Sequence, residues 1–216
     1  MDVGRSFSFV FQDPKWVSKL AIGALMVLIP IFGWLVFFGY TMQVARRIAL
    51  TGTDLPLPEW DDFGALFVDG WRAFAVYVMW SLPLIVISFG SSVYRFVVDD
   101  ESDGLSLALG CLQLPLTFAF GVATPAAITR EAVEGRFSAG LEVGRVLQIV
   151  RTRLGDYVVI AVMIFIGAFL AAFGLIALCV GILVTFALYY LFLGHLYGQA
   201  YRRAVGPAIG SGVPAY

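Results

Sequence analysis

Between Tyr157 and Tyr201 the chain runs 45 residues without one Asp, Glu, Lys or Arg. As a single helix that stretch would be roughly 67 Å long, more than twice the thickness of a hydrocarbon core of about 30 Å. It is therefore expected to cross a bilayer twice, as segments 157–177 and 180–201 joined by a tight turn near Gly174–Gly181. Three further charge-free windows, Leu20–Ala45, Ala73–Tyr94 and Gly104–Thr129, define the other membrane segments as 20–45, 73–94 and 104–129. The fold class read from this pattern is all-α: a polytopic membrane helix bundle forming one domain over residues 1–216. Composition excludes the soluble alternative. The chain is 60% hydrophobic and 13% charged, against about 25% charged in ordinary soluble domains, and a soluble chain of this kind would expose large apolar patches.

Which way the segments run follows from where Lys and Arg sit, since basic residues stay on the cytoplasmic side. If 20–45 spans, there are five transmembrane helices and the 14 basic residues divide ten against four. If it enters and returns on one side, the partition is thirteen against Arg95 alone. The second is sharper, places both termini in the cytoplasm, and leaves Asp99, Asp100, Glu101 and Asp103 outside. Pro30 stands near the middle of the segment and breaks it into halves of about a dozen residues, too short to span. The expected layout is four full transmembrane helices plus an N-terminal re-entrant hairpin, with five transmembrane helices as the alternative.

Three segments leave the membrane in similar wording: Ala45-Arg46-Arg47 before Gly52, Thr129-Arg130-Glu131 before Gly135, and Tyr201-Arg202-Arg203 before Gly206. This faint repeat fits three in-and-back hairpins. The intervening surface segments read as interfacial. In 138–156, Val143, Val146, Leu147, Val150 and Leu154 recur at helical spacing opposite Glu142, Arg145, Gln148 and Thr152, the pattern of an amphipathic helix lying among headgroups. Such a helix could also dock a partner or sense anionic lipid. Residues 1–19 carry a shorter version in Phe7, Val10 and Phe11, and Asp13-Pro14 reads as the N-cap and first position of the next helix. Asp2 and Asp13 interrupt the basic run of a cleaved signal, so none is expected.

Asp54-Leu55-Pro56-Leu57-Pro58-Glu59-Trp60-Asp61-Asp62 is the most distinctive stretch. Acids here cap the helix that follows and complement its dipole. The sharper reading makes Glu59, Trp60, Asp61 and Asp62, with Asp69, a cytoplasmic binding lip, a cation site or an interfacial active site. The spacing lacks the glycine-bearing pattern of a calcium loop.

Together with Phe11-x-Asp13-Pro14-Lys15-Trp16, Leu28-Ile29-Pro30-Ile31-x-Gly33, Gly39-Tyr40 and His195-Leu196-Tyr197-Gly198-Gln199-Ala200-Tyr201, this stretch resembles a family of prokaryotic integral membrane proteins. That family is catalogued as a domain of unknown function (four-zero-one-three). The resemblance covers almost the whole chain and implies a bacterial or archaeal membrane protein. It supplies no catalytic or ligand residues.

Inside the windows the only residue with acid–base chemistry near neutral pH is His195, too little for a metal site, protease dyad or proton relay. His195 is expected to bond Gln199 or a neighbouring helix, and Gly194 and Gly198 form a small-residue pair for close helix contact, within the chain or between copies. Pro30, Pro83 and Pro115 each fall near the middle of a window. Three broken helices could converge on a cavity lined by Gln113, Thr117 and Ser88. Cys111 and Cys179 read as small packing residues. No cofactor, metal or catalytic residue is expected, and no nucleic acid, because net charge is −1 without a basic aromatic stretch. The expected function is a non-catalytic accessory, scaffold or lipid-interacting component of the cell membrane. Its partners are then lipids and a homo-oligomer or larger complex. The alternative is a transporter or channel for a neutral or lipid-like solute through the proline-kinked cavity.

Overall fold

The computed structural model describes residues 1–52, 56–98, 104–173 and 180–206, and every regular element among them is a helix. Most of the turn expected near Gly174–Gly181, the acidic stretch 99–103, Asp54, Leu55 and Cys179 lie outside the described residues. Three helices contain stretches long and apolar enough to cross a membrane: Phe63–Tyr94, Leu107–Glu134 and Gly181–Val205. Trp16–Leu28 and Leu154–Gly167 are shorter apolar helices. Stretches of this length and composition mark a membrane protein.

A short helix α1 (Val3–Ser8) begins at Asp2, whose carboxylate accepts the Arg5 amide at 2.9 Å. A 3-10 turn, Phe9–Gln12, leads to helix α2 (Trp16–Leu28). Asp13 does not cap α2 as expected. Its carboxylate accepts the Lys15 amide at 2.7 Å, so Asp13-Pro14 makes a turn and the helix starts at Trp16. At Pro30 the helix stops, because the ring supplies no amide and clashes with the preceding turn. Ile31 then takes φ 63°, a left-handed conformation uncommon for a β-branched residue, and the chain reverses into α3 (Phe32–Thr51). The reversal is tight: the Trp34 indole donates to the Val27 carbonyl at 2.6 Å, and Gly23 meets the Phe37 ring.

Helix α4 (Phe63–Val98) starts where Asp62 accepts the Ala65 amide at 2.8 Å, and α5 (Gly104–Glu134) runs back beside it. After α6 (Phe137–Leu141) and α7 (Val143–Thr152) come α8 (Leu154–Phe173) and α9 (Val180–Val205). Gln113 donates to Ser88 across α4 and α5 at 2.7 Å, and the Tyr189 hydroxyl donates to the Ile164 carbonyl across α8 and α9 at 3.0 Å. Among the described residues the long helices thus pair as three hairpins, α2–α3, α4–α5 and α8–α9. Their returning limbs α3, α5 and α9 end together, where Ala49, Val133 and Tyr201 form one cluster. Each limb stops at a glycine of positive φ, Gly52 at 68°, Gly135 at 65° and Gly206 at 78°. Each of these glycine amides closes back on the carbonyl four residues earlier.

Close backbone contact builds the centre. Helix α3 is crossed by α4 at Gly39 and Gly70, where a Cβ on either residue would collide with the other helix's backbone. On another face α3 runs parallel to α9. Gly194 lies against the Thr41 carbonyl, and Gly198 against Ala45 and Ile48. The small-residue pair therefore serves a contact inside the chain.

Other expectations change. Pro83 and Pro115, and also Pro125, sit inside continuous helices, so only Pro30 breaks one. Thr117 and Gln113 are satisfied locally: the Thr117 hydroxyl donates to the Gln113 carbonyl and the Gln113 amide to Ser88. The stretch 138–156 is not one helix. Gly140 is drawn against α4, its carbonyl accepting the Trp80 indole at 2.8 Å, and Arg130 holds both the Ala139 carbonyl and Glu142 at 2.7 Å. The chain bends at Glu142 to satisfy both. Val146 and Val150 then pack into the bundle, while Val143, Leu147 and Leu154 stay exposed. Cys111 is exposed rather than packed. It belongs to an apolar outer wall of α4 and α5 that includes Phe89, Phe96, Leu107 and Leu114.

Candidate functional site

Just past the Gly39–Gly70 crossing, side chains from α3, α4 and α5 surround a small charged cavity. Glycine at both positions lets the two backbones touch, and the longer side chains one to two turns further on must splay. Gln43 and Arg46 of α3, Asp69 and Arg72 of α4, and Glu131 of α5 line a space of about 70 Å³. Asp69 and Arg72 stand three apart on one helix face, which is why one turn presents both signs to the same space. Glu131 is 3% exposed. Among the described residues no side chain hydrogen-bonds or ion-pairs with its carboxylate. A buried carboxylate without a hydrogen-bond partner is costly, and attraction from Arg72 and Arg46 in the same cavity offsets part of that cost.

Gln43 is also a wall of a second, more open cavity of about 430 Å³, lined further by Arg47, Pro56, Leu57, Glu59 and Asp61. The proline–acid–tryptophan stretch frames it, and its four candidate residues do four different things. Asp62 caps α4. Asp61 faces the cavity. Glu59 pairs with Lys19 at 2.8 Å. Trp60 lies flat on Tyr40, centroids 3.9 Å apart, and donates its indole N–H to the Lys19 carbonyl at 3.1 Å. Lys19 is the pivot of this wall. It is buried, and its ammonium also reaches Asp13 at 2.9 Å and donates to the Leu57 carbonyl at 2.6 Å. Burial alone would lower the Lys19 pKa, but hydrogen bonds and attraction from Glu59 and Asp13 outweigh it and hold the ammonium above its ordinary value. Burial would likewise raise the Asp13 carboxyl. The Lys19 ammonium and the Lys15 amide overcome that and keep it below its ordinary value.

His195 stands apart from both cavities. It is fully buried in α9, stacked on Phe9 with centroids 4.4 Å apart. Its Nδ1 meets the Ser6 hydroxyl at 2.8 Å and the Gln199 amide at 3.0 Å, and Gln199 in turn bonds the Asp2 backbone. These contacts tie the N-terminal helix to α9.

The sequence reading thus separates into parts. Pro30, Pro83, Pro115, Gln113 and Thr117 line neither of the two cavities, and Gly194, His195 and Gly198 serve helix packing. Glu59 and Asp61 reach the larger cavity, while Asp69 leaves them for the smaller one. Missed were Arg46, Arg72 and Glu131, because charges at the ends of apolar windows were counted only for orientation, and Gln43, an uncharged residue inside the window 20–45. A signal was present: Glu131 stands where the other two membrane exits carry a second arginine, Arg47 and Arg203. Among the described residues no three of His, Cys, Asp or Glu gather to hold a metal ion.

The sequence profile of a family described as "Protein of unknown function (DUF4013)" matches residues 22–195. No curated protein and no solved structure matches the chain.

Proposed function

Because the chain belongs to the DUF4013 family of proteins of unknown function, we propose its role from its own geometry. It is a non-catalytic, lipid-interacting component of the cell membrane, with the cavity-bearing end and both termini in the cytoplasm. In this reading α4, α5, α8 and α9 cross the bilayer, and α2–α3 enters and returns as a re-entrant hairpin. One contrast carries it: the outer lengths of α4 and α5 present a bare apolar wall suited to acyl chains. The opposite end gathers Arg46, Arg47, Arg72 and the α7 arginines, Arg145 and Arg151, at the depth where lipid phosphates lie. Two mixed-charge cavities at that end give a headgroup somewhere to go. Pro83 and Pro115, inside unbroken helices, lend no support to a proline-gated transport path.

Two measurements test this. Single cysteines placed at Ile29, exposed at the hairpin tip, and at Asp100, in a chain lacking Cys111 and Cys179, are expected to react with an impermeant reagent from outside intact cells only at position 100. Labelling at position 29 as well would overturn the re-entrant layout. Mass analysis of the protein purified in mild detergent is expected to find retained phospholipid. A strictly lipid-free preparation that keeps its fold would end the lipid-interacting reading.

A further inference from the structure

Charge balance in the small cavity narrows what it can hold. Arg46 and Arg72 are two guanidinium groups, Asp69 and Glu131 two carboxylates, and Gln43 adds an amide that reaches toward Asp69. A purely anionic ligand would meet the arginines but be repelled by both acids. A simple cation would meet the reverse. The ligand that satisfies all four carries a phosphate and an ammonium a few atoms apart: guanidinium forks suit phosphate, and carboxylates accept N–H donors. Lining discriminates further. Recognition of a quaternary ammonium relies on an aromatic cage, and none of the residues around this cavity is aromatic.

Geometry sets which group goes where. Glu131 is the buried member and Arg72 the exposed one, so the ammonium belongs inside against Glu131 and Asp69, and the phosphate at the rim against Arg72 and Arg46. Trp71, next to Arg72 and exposed on the same helix, is a residue type that favours headgroup depth. We propose that this cavity binds a phosphate ester bearing a primary ammonium, the chemistry of a phosphoethanolamine headgroup. Glu131 receives the ammonium and Arg72 the phosphate. The proposal rests on the lipid-interacting reading and names the lipid class it selects.

The test is native mass spectrometry of the full chain exchanged into equal mixtures of phosphatidylethanolamine, phosphatidylglycerol and phosphatidylcholine. Wild type is expected to retain phosphatidylethanolamine in preference to the other two by about tenfold, the scale of one charge-assisted hydrogen bond. Glu131→Gln and Arg72→Gln should each bring retention to near parity, whereas Arg136→Gln, at an exposed position, should leave the preference intact. Asp69→Asn, at a half-buried position, repeats the test if Glu131→Gln does not fold. Competition by soluble phosphoethanolamine would assign the site to a free small molecule, and preference without competition to the lipid. Retention of all three lipids equally overturns this inference and spares the lipid-interacting reading; retention of none ends both. Unchanged preference in Glu131→Gln and Arg72→Gln would place the selective site elsewhere and overturn the assignment.

Discussion

Gly39→Ala should loosen the whole bundle, and the reason can be worked from one contact. A Cβ at Gly39 would overlap the Leu66 carbonyl and stand 2.9 Å from the Gly70 amide nitrogen. Both are helix backbone, so no side chain can rotate away and α3 and α4 must separate. Overpacking of this kind costs about 3 kcal/mol, the upper end for inserted methyl groups. Alanine returns about 1 kcal/mol through its better helix propensity, leaving a net loss of about 2 kcal/mol. For a chain of this length that corresponds to a fall of roughly 4–8 °C in Tm. The assay is thermal unfolding of purified protein in one detergent, followed by tryptophan fluorescence. Gly90→Ala is the control: it lies on α4, the helix that α3 crosses, with nothing within 4 Å of a built Cβ, and should be neutral or slightly stabilising. The double variant Gly39→Ala/Gly70→Ala should lose less than the sum of the singles, because one separation relieves both clashes. If Gly39→Ala unfolds at the same temperature as Gly90→Ala, the close crossing is not what holds α3 to α4.

Replacing Lys19 with Met leaves Asp13 buried without its cation, a change worth about 3–5 kcal/mol, and Lys19→Met/Asp13→Asn should recover part of that in the same unfolding assay. The pH dependence follows from the shift directions. Asp13 is held below its ordinary 3.8, so its contribution is complete above that pH and lost as pH falls through the lower folded value. Lys19 is held above 10.5, so its contribution is lost only in stronger alkali. Trp60 fluorescence should therefore stay constant across the neutral range and change below about pH 4. Arg130 holds Glu134, the Ala139 carbonyl and Glu142 with three bonds of 2.7 Å. Arg130→Lys cannot span all three, and tryptic cleavage after the exposed Arg136 should speed up by about tenfold, the scale of one lost bond to a charged group. Unchanged cleavage would mean that the connection from α5 to α6 is held by packing alone.

How much of this was readable beforehand depended on whether the signal was local. Pro30 acts within its own turn and breaks the helix as expected. The three Arg-bearing exits each end at a glycine, and those glycines adopt the left-handed caps that their lack of a side chain permits. Pro83 and Pro115 carry the same residue type but lie in helices braced along their length by a neighbour, and tertiary support keeps them continuous. Charges were misjudged for a related reason. A window that ends at the first charged residue places that residue in water by construction, whereas Lys19, Arg130 and Glu131 are all at least nine-tenths buried. Their surroundings come from elsewhere in the chain: Leu57 and Glu59 bond Lys19, and Asp69, Arg46 and Arg72 share a cavity with Glu131. No periodicity within one segment encodes such meetings.

The pairing of α3 with α9 also fixes an order of events during synthesis. Ser6 and His195 are 189 residues apart, and Thr41 meets Gly194 across 153 (194 − 41). At 5–20 residues per second, a typical translation speed, the first hairpin waits on the order of 8–30 s for its last wall. Until α9 is made, the glycine-contacting side of α3 faces lipid or a temporary chaperone, and the N-terminal helix has no anchor. The final helix thus closes a structure that the first one began.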